Sequence, residues 1–219
     1  MGLRVVEVPG AETPAEPDGF DAVVLLGGGI LPDDDRQAPW LPAERALARG
    51  AVADGVPLLG ICLGAQVLAA ATGGTVRGAY GRPERGSCTV TLRGEAAADP
   101  LFAGLPDEFR VIQNHRDQIT GLPPGAVRLA ESAACPVQAF RVGERAWGVQ
   151  FHPEAGADRI DRWDEAALAD DGLDRRALRA EAEKAEPESA RNARRLAANF
   201  AELVREVASE EPARSTLAT

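Results

Sequence analysis

The sequence predicts an α/β fold in which a mostly parallel sheet is flanked by helices and followed by a C-terminal helical extension. Residues 21–26 and 56–61 are short, unbroken apolar runs, as in strands that are buried on both faces of a parallel sheet. A helical pattern follows each run, over 42–54 and 64–71, and ends at glycine. A third, heavily charged helical pattern occupies the chain after residue 158.

The elements follow from local patterns in chain order. Residues 3–8 alternate weakly and predict a first strand, and the strand at 21–26 stops at Gly27-Gly28-Gly29. Short strands separated by glycine and proline turns are predicted over 87–92, 108–113, 126–131, 137–142 and 146–151. Gly143-Glu144 predicts a hairpin turn between the last two strands. The final helix places five apolar side chains on one face: Leu196, Phe200, Leu203, Val204 and Val207.

Composition narrows the class of protein. The formal net charge of -10 disfavours a nucleic acid partner, because an acidic chain repels phosphate backbones. No apolar run is long enough for a transmembrane helix and the start lacks a signal-peptide pattern, so a cytoplasmic protein without membrane contact is predicted. The 3 cysteines form neither a disulfide framework nor a CxxC pair, so neither a disulfide nor a metal site is expected. No cofactor is predicted either.

The richest segment is residues 60–66, GICLGAQ, where a predicted buried strand runs through Gly-x-Cys-x-Gly into a helix. This pattern is the cysteine version of a nucleophile elbow. The flanking glycines permit the tight turn, and the N-terminus of the helix favours a thiolate at Cys62. A lone cysteine in an apolar strand is usually inert, as we expect for Cys88 and Cys135, but the two glycines favour a nucleophile at Cys62.

A thiol nucleophile needs a base, and the chain contains only 2 histidines. His152 and Glu154 close an apolar strand, and residues two apart share a face, so the carboxylate can orient the imidazole. Pro153 stiffens the segment between them. The alternative base is His115, for which Asp117 would be the orienting group.

Three motifs in this order resemble the class I glutamine amidotransferases: Gly27-Gly28-Gly29, residues 60–66, and residues 151–154 (FHPE). The resemblance runs from residue 21 to 154 and looks closest to the stand-alone branch that is similar to the glutaminase domain of GMP synthase. Segments 38–42 and 99–105 also look like that branch. It implies a flavodoxin-like amidotransferase domain over residues 1–157 and a helical extension over 158–219, packed on the same domain.

The resemblance also implies an activity. Cys62 would attack the side-chain amide carbon of glutamine, His152 would protonate the leaving ammonia, and Glu154 would orient His152. Water would then hydrolyse the γ-glutamyl thioester. The backbone amides of Gly28 and Leu63 would form the oxyanion hole. The residues assigned to substrate binding are Gly27, Gly29, Gln66, Asn114, His115 and Arg116.

Three features depart from the family pattern. The third glycine, Gly29, stands where the family usually has proline, which is expected to loosen one side of the oxyanion hole. Arg116 stands where the family often has glycine, and it is expected to add a cation beside the substrate pocket. The family's sheet also has a strand and a helix before the segment that matches residues 3–8. Three explanations fit: the true start lies further upstream, residues 3–8 pair directly with 21–26, or another chain supplies the missing strand. The first is favoured, because residues 3–8 run into the following loop as the family's second strand does.

Three functions fit these residues. The first is glutamine hydrolysis that feeds ammonia to a partner synthetase, since the chain has no ATP-binding loop of its own. The second is a stand-alone hydrolase of a γ-glutamyl peptide or amide, which would use the same triad. The third is a catalytically weak regulatory homologue. Glutamine or another γ-glutamyl small molecule is the expected ligand, and a synthetase or a second copy of the chain is the expected protein partner.

Overall fold

The computed structural model describes residues 3–210 and confirms the predicted α/β fold with its C-terminal helix. The strands are β1 (Val23–Leu25), β2 (Leu58–Ile61), β3 (Thr75–Arg77), β4 (Glu84–Leu92), β5 (Glu108–His115), β6 (Gln118–Gly121), β7 (Val127–Glu131), β8 (Ala139–Val142) and β9 (Ala146–Val149). The helices are α1 (Leu41–Asp54), α2 (Leu63–Ala71), α3 (Glu165–Asp170) and α4 (Arg175–Glu210). No helix within residues 3–210 is long and apolar enough to cross a membrane.

Seven strands form one sheet in the order β1-β2-β9-β8-β7-β4-β5. The pairs β1–β2 and β2–β9 are parallel, and the four pairs from β9 to β5 are antiparallel. The described sheet is therefore less parallel than the sequence predicts, because no α-helix connects the strands between β4 and β9. Ile61 pairs with Val149, so β2 and β9 end side by side at the same edge of the sheet. This register brings the residues after β2 close to the residues after β9, although some 90 positions separate them in the chain.

Helices cover both faces of the sheet. Along β2, Leu58 packs in the core cluster shared with α1 and α2, whereas Leu59 and Ile61 pack in the cluster shared with α4. The predicted apolar face of the last helix is confirmed for Leu196, Phe200, Leu203 and Val204, which all pack in that second cluster. Val207, the fifth predicted residue, is half-buried and lies outside the cluster. The ring of Phe200 meets Trp147 of β9 edge to face, with centroids 6.4 Å apart. This contact packs the C-terminal helix against β9, the strand that precedes His152, and helps to fix the position of that strand.

The prediction of a strand over residues 3–8 is wrong. These residues have no regular secondary structure, and the side chains of Leu3, Val5, Val6 and Val8 are exposed. Within residues 3–210, β1 pairs with β2 alone, so the suggested pairing of 3–8 with 21–26 does not occur. A weak alternation makes a strand only where a neighbouring strand supplies the ladder of hydrogen bonds.

The hairpin predicted at Gly143-Glu144 is confirmed, because β8 and β9 pair antiparallel across it and Gly143 has φ 59°. A separate two-stranded sheet, β3 with β6, was missed. Its strands have only three and four residues, and β3 is largely exposed, so neither leaves a readable apolar pattern in the sequence.

Candidate active site

Cys62 lies in the turn between β2 and α2, directly before the first residue of the helix. Its backbone has φ 52° and ψ -105°, a left-handed conformation that costs a residue with a side chain about 1–3 kcal/mol. The flanking glycines make the turn possible. A Cβ on Gly64 would lie 2.3 Å from the carbonyl oxygen of Leu25, and one on Gly60 would lie 2.5 Å from that of Gly64. The predicted elbow therefore exists, with strain concentrated at Cys62.

We expect Gly64→Ala to destabilise the protein by about 1–3 kcal/mol or more, because the new methyl group would meet backbone atoms, which cannot rotate away. Thermal unfolding followed by circular dichroism measures the effect. The matched control is Gly94→Ala, since a Cβ there meets no atom within 4 Å. Equal melting temperatures for the two variants would show that the turn tolerates a side chain.

His152 is held at the sheet edge by contacts on three sides. Its main-chain N–H donates to the carbonyl of Ile112 at 2.8 Å, and its Nδ1 lies 2.7 Å from Oε1 of Glu154. The imidazole also forms a hydrogen bond with the side chain of Cys62. A Cβ on Gly27 would lie 3.0 Å from Cε1 of His152 and 3.6 Å from Cβ of Cys62, so the first of the three glycines leaves room for this pair. The three residues predicted as a triad therefore lie together in the order Cys62, His152, Glu154.

The electrostatics favour a positively charged imidazole. Burial by itself lowers the pKa of His152, but its hydrogen bonds to Cys62 and Glu154, and the negative charges of both partners, outweigh burial and raise that pKa to about 10. At neutral pH the imidazole is then protonated and faces the sulfur from one side while the carboxylate holds it from the other. This arrangement can deliver a nucleophilic sulfur and a proton donor to one small molecule.

The predicted oxyanion-hole residues are neighbours in space. A Cβ on Gly28 would lie 2.6 Å from Cδ2 of Leu63, so the chain after β1 passes directly beside the start of α2. The N–H at the first position of a helix has no acceptor within the helix, which leaves the amide of Leu63 available. Gly29 lies in more open surroundings, with no atom within 4 Å of an added Cβ. The oxyanion hole stays a prediction that this geometry permits.

A buried glutamine beside the nucleophile was missed by the sequence reasoning. Gln150 is 1% exposed, and its amide nitrogen lies 3.6 Å from Sγ of Cys62. Its Oε1 accepts from Gln66 at 3.2 Å, and Gln66 also donates to the carbonyl of Asp117. The amide nitrogen of Gln66 is therefore engaged inside the protein, and its predicted contact with a substrate is not needed to explain its position. The signal was present, since Gln150 is a polar residue in an apolar strand end directly before the FHPE motif.

The remaining predicted substrate residues make contacts within the protein. Both ring nitrogens of His115 face protein atoms, Nδ1 at 3.2 Å from the carbonyl of Asp117 and Nε2 at 3.3 Å from Glu84. The Asp117 carboxylate instead accepts from the main chain of Ala79, so it does not orient His115. The alternative in which His115 is the base is therefore not supported, and any substrate contact at this position would come from its main chain.

Asn114 and Arg116 join a surface network with the segment that precedes α4. Asp171 forms ion pairs with Arg85 and Arg116, and Arg85 also donates to Oδ1 of Asn114. The extra cation of Arg116 is thus matched by a carboxylate of the same chain. Its predicted influence on the substrate stays untested, but the structure offers a different reason for the arginine, which is attachment of the C-terminal segment.

The other two cysteines are less suited to attack. Burial raises the pKa of the Cys88 thiol to about 11 and that of the Cys135 thiol to about 12. Each thiol donates to a main-chain carbonyl, Cys88 to Arg85 and Cys135 to Val137. Both are therefore protonated at neutral pH, in agreement with the expectation that neither is the nucleophile.

The amino-acid sequence is similar to those of known proteins. The profile of the family described as glutamine amidotransferase class-I matches residues 2–162. One subunit of the glutamine-hydrolyzing GMP synthase of Natronomonas pharaonis is 41% identical over 145 residues, which cover 65% of this chain and 71% of that protein. The longer glutamine-hydrolyzing GMP synthase of Thermomicrobium roseum is 42% identical over 132 residues, 60% of this chain but only 23% of that protein.

A solved structure agrees with the sequence matches. The crystal structure of a glutamine amidotransferase from Thermotoga maritima is 33% identical, and it superposes with a TM-score of 0.74 over 90% of this chain and 81% of that chain. These matches confirm the resemblance that the three sequence motifs indicated.

Proposed function

We propose that this chain, which belongs to the glutamine amidotransferase class-I family, hydrolyses the side-chain amide of glutamine through a thioester on Cys62. The observation that carries the proposal is the hydrogen-bonded series Cys62–His152–Glu154 at the N-terminus of α2. A sulfur nucleophile, a proton donor and an orienting carboxylate are the groups that amide cleavage by a cysteine requires.

The reaction follows from these positions. Sγ of Cys62 attacks the amide carbon of glutamine, and the carbonyl oxygen becomes an oxyanion beside the amides of Gly28 and Leu63. The imidazolium of His152 gives its proton to the departing nitrogen, ammonia leaves, and a γ-glutamyl thioester remains. A water molecule then loses a proton to His152 and attacks the thioester carbon. Glutamate is released, and the proton returns to the Cys62–His152 pair.

The product ammonia points to a partner. The relative from Natronomonas pharaonis carries in its name both glutamine hydrolysis and GMP synthesis, and its naming as one subunit of that enzyme supports a separate synthetase chain. We propose that this chain likewise supplies ammonia to a synthetase. A pull-down with the synthetase from the same source, followed by an ammonia-dependent amination assay with glutamine as nitrogen donor, tests the pairing.

One assay tests the hydrolysis itself. Ammonia release is measured from glutamine and from a panel of γ-glutamyl peptides and amides, with Cys62→Ser as the control for background. Release from glutamine that Cys62→Ser loses supports the proposal. Preferential release of amines from larger γ-glutamyl compounds would replace it with the stand-alone hydrolase, and no release from any of them, with or without the synthetase, would contradict both.

Arg116→Gly is expected to leave the preference between free glutamine and larger γ-glutamyl substrates unchanged, because Asp171 already neutralises the guanidinium. Its expected effect is on stability instead. The guanidinium of Arg116 lowers the pKa of the Asp171 carboxyl, which shows that the pair favours the charged carboxylate. Without Arg116, the segment before α4 should be held less firmly, and the melting temperature should fall slightly. Ratios of kcat/KM for the two substrate classes check this, and a marked gain on free glutamine alone would assign Arg116 to the substrate pocket.

A further inference from the structure

A second cluster of reactive side chains lies outside the triad. Glu84 begins β4, His115 ends β5 as its cross-strand partner, and Cys135 lies in the loop before β8. All three are buried, and one ligand atom from each lies within 4.8 Å of the other two. We propose that Glu84, His115 and Cys135 bind one divalent transition-metal ion, with zinc the best fit and Gln138 completing the site.

The orientation of the imidazole is the first argument. Nδ1 of His115 lies 3.2 Å from a main-chain carbonyl, that of Asp117, which can only accept, so the ring carries its proton on Nδ1. In the neutral ring Nε2 is then a lone pair, and it faces the carboxylate oxygen of Glu84 at 3.3 Å. Although the two atoms are close, their geometry is not that of a hydrogen bond, and within the described part of the chain this buried Nε2 has no other partner. Two electron-pair donors that face each other in the interior need a cation between them, either a proton or a metal ion. The sulfur of Cys135, within 4.8 Å of both atoms, favours the metal ion.

The chemistry of the ligands is the second argument. Imidazole nitrogen, thiolate and carboxylate are the three ligand types that zinc takes in proteins, and ligand atoms in a tetrahedral zinc site lie about 3.3–3.6 Å apart. The separations within the cluster, up to 4.8 Å, therefore need to shorten by about 1.5 Å at most to reach that geometry. The ion would displace the thiol proton of Cys135 to solvent. The resulting thiolate and one carboxylate would then balance its two positive charges, so the filled site is neutral in the protein interior.

Gln138 supplies the fourth position. Its amide nitrogen lies 2.6 Å from Oε2 of Glu84, which places the amide group at the cluster, and its buried Oε1 has no hydrogen-bond partner among residues 3–210. Half a turn about the last side-chain bond exchanges the two amide atoms and aims the oxygen inward. Ser132 donates to Glu84 at 2.9 Å and would hold the carboxylate in place as a supporting contact.

The sequence alone predicts no metal site, because it has no CxxC spacing. The site proposed here is not visible in the sequence, because its ligands come from separate segments that only the fold brings together. The first and last of the three proposed ligands, at residues 84 and 135, lie 51 positions apart in the chain, and the pairing of β4 with β5 and the loop before β8 bring all three together. None of them belongs to the triad. A metal ion at this site would link β4, β5 and the loop before β8, on the antiparallel side of the sheet.

The experiment isolates one thiol. A tag-free chain with Cys62→Ser and Cys88→Ser keeps Cys135 as its only cysteine, so any sulfur-to-cobalt absorption must come from Cys135. Cobalt chloride is added to the folded protein and, separately, during refolding from denaturant, because the cluster is closed to solvent. We expect a charge-transfer band that saturates at one cobalt per chain, is displaced by zinc, and is accompanied by a higher melting temperature.

Two further variants in the same background decide the assignment. Cys135→Ser should lose the band and the gain in melting temperature, and His115→Gln should weaken cobalt binding by more than about tenfold. Circular dichroism establishes that each variant is folded, and either one suffices if the other does not fold. Absence of the band under both loading conditions, or equal metal-induced stabilisation in the parent and in Cys135→Ser, would overturn the proposal.

Discussion

Replacement of Cys62 by alanine is expected to reduce ammonia release from glutamine to background, whereas Cys88→Ala and Cys135→Ala should retain turnover. Only Cys62 lies in the strained turn at a helix N-terminus with an imidazole hydrogen-bonded to it. Loss of the nucleophile from a triad costs on the order of 10⁶-fold in kcat, because no other group can form the covalent intermediate. The three variants are compared at a temperature well below their melting temperatures, so that folding does not limit the comparison.

The covalent step offers an independent measurement. A glutamine analogue that carries an electrophile at the amide position should add one mass increment to the protein, and peptide mapping should place it on Cys62. The raised pKa values of Cys88 and Cys135, about 11 and 12, keep those thiols protonated and slow to react. A label on Cys88 in place of Cys62 would refute the assignment of the nucleophile.

His152→Ala is expected to lower kcat by about 10²–10⁴-fold, and Glu154→Gln by less. The imidazole carries the proton that ammonia needs, whereas the carboxylate orients the ring and stabilises its charge. Glu154 is also partly exposed, with 44% of its side chain accessible, so water can replace some of its contact with Nδ1. His115→Ala is the matched control, as it removes the other histidine of the chain. Equal losses for the His152 and Glu154 variants, or a larger loss for His115→Ala, would contradict these roles.

The same pair predicts a change with pH. With the pKa of His152 raised to about 10, its proton is retained through neutral pH, and activity should fall only as the pH rises toward that value. Glu154→Gln removes the negative charge that helps to raise this pKa and leaves only a weaker, uncharged acceptor for Nδ1, so the alkaline limb of the kcat profile should move to lower pH. The shift also stabilises the folded state, fully below the ordinary value of 6.5 and progressively less as the pH rises through about 10. An alkaline limb that is unmoved in Glu154→Gln would mean that another group sets it.

Local sequence patterns were sufficient to predict those features whose residues lie close together in the chain. The cysteine elbow could be predicted because the turn demands glycine at residues 60 and 64, and no other residue type avoids the backbone of its neighbours there. The hairpin at Gly143 and the apolar face of α4 were predictable for the same reason, since each is encoded within one turn or one helix. The motif that ends in His152 and Glu154 likewise carries both groups within three residues.

Pairing between distant segments decided the rest. The alternation of residues 3–8 predicted a strand, but a strand needs a partner, and the described structure places none beside it. The sequence predicts substrate contacts for His115 and Arg116, and it gives no sign that the fold places Glu84 beside His115 and Asp171 beside Arg116. The contact between Gln150 and Cys62, and the contacts among the proposed metal ligands, also depend on how the strands pair. The sequence by itself determined which residues carry the proposed hydrolysis, because a nucleophile turn and an imidazole–carboxylate pair are local structures. Only the tertiary structure decided which other polar side chains meet, because contact between residues far apart in the chain depends on the packing of the whole sheet.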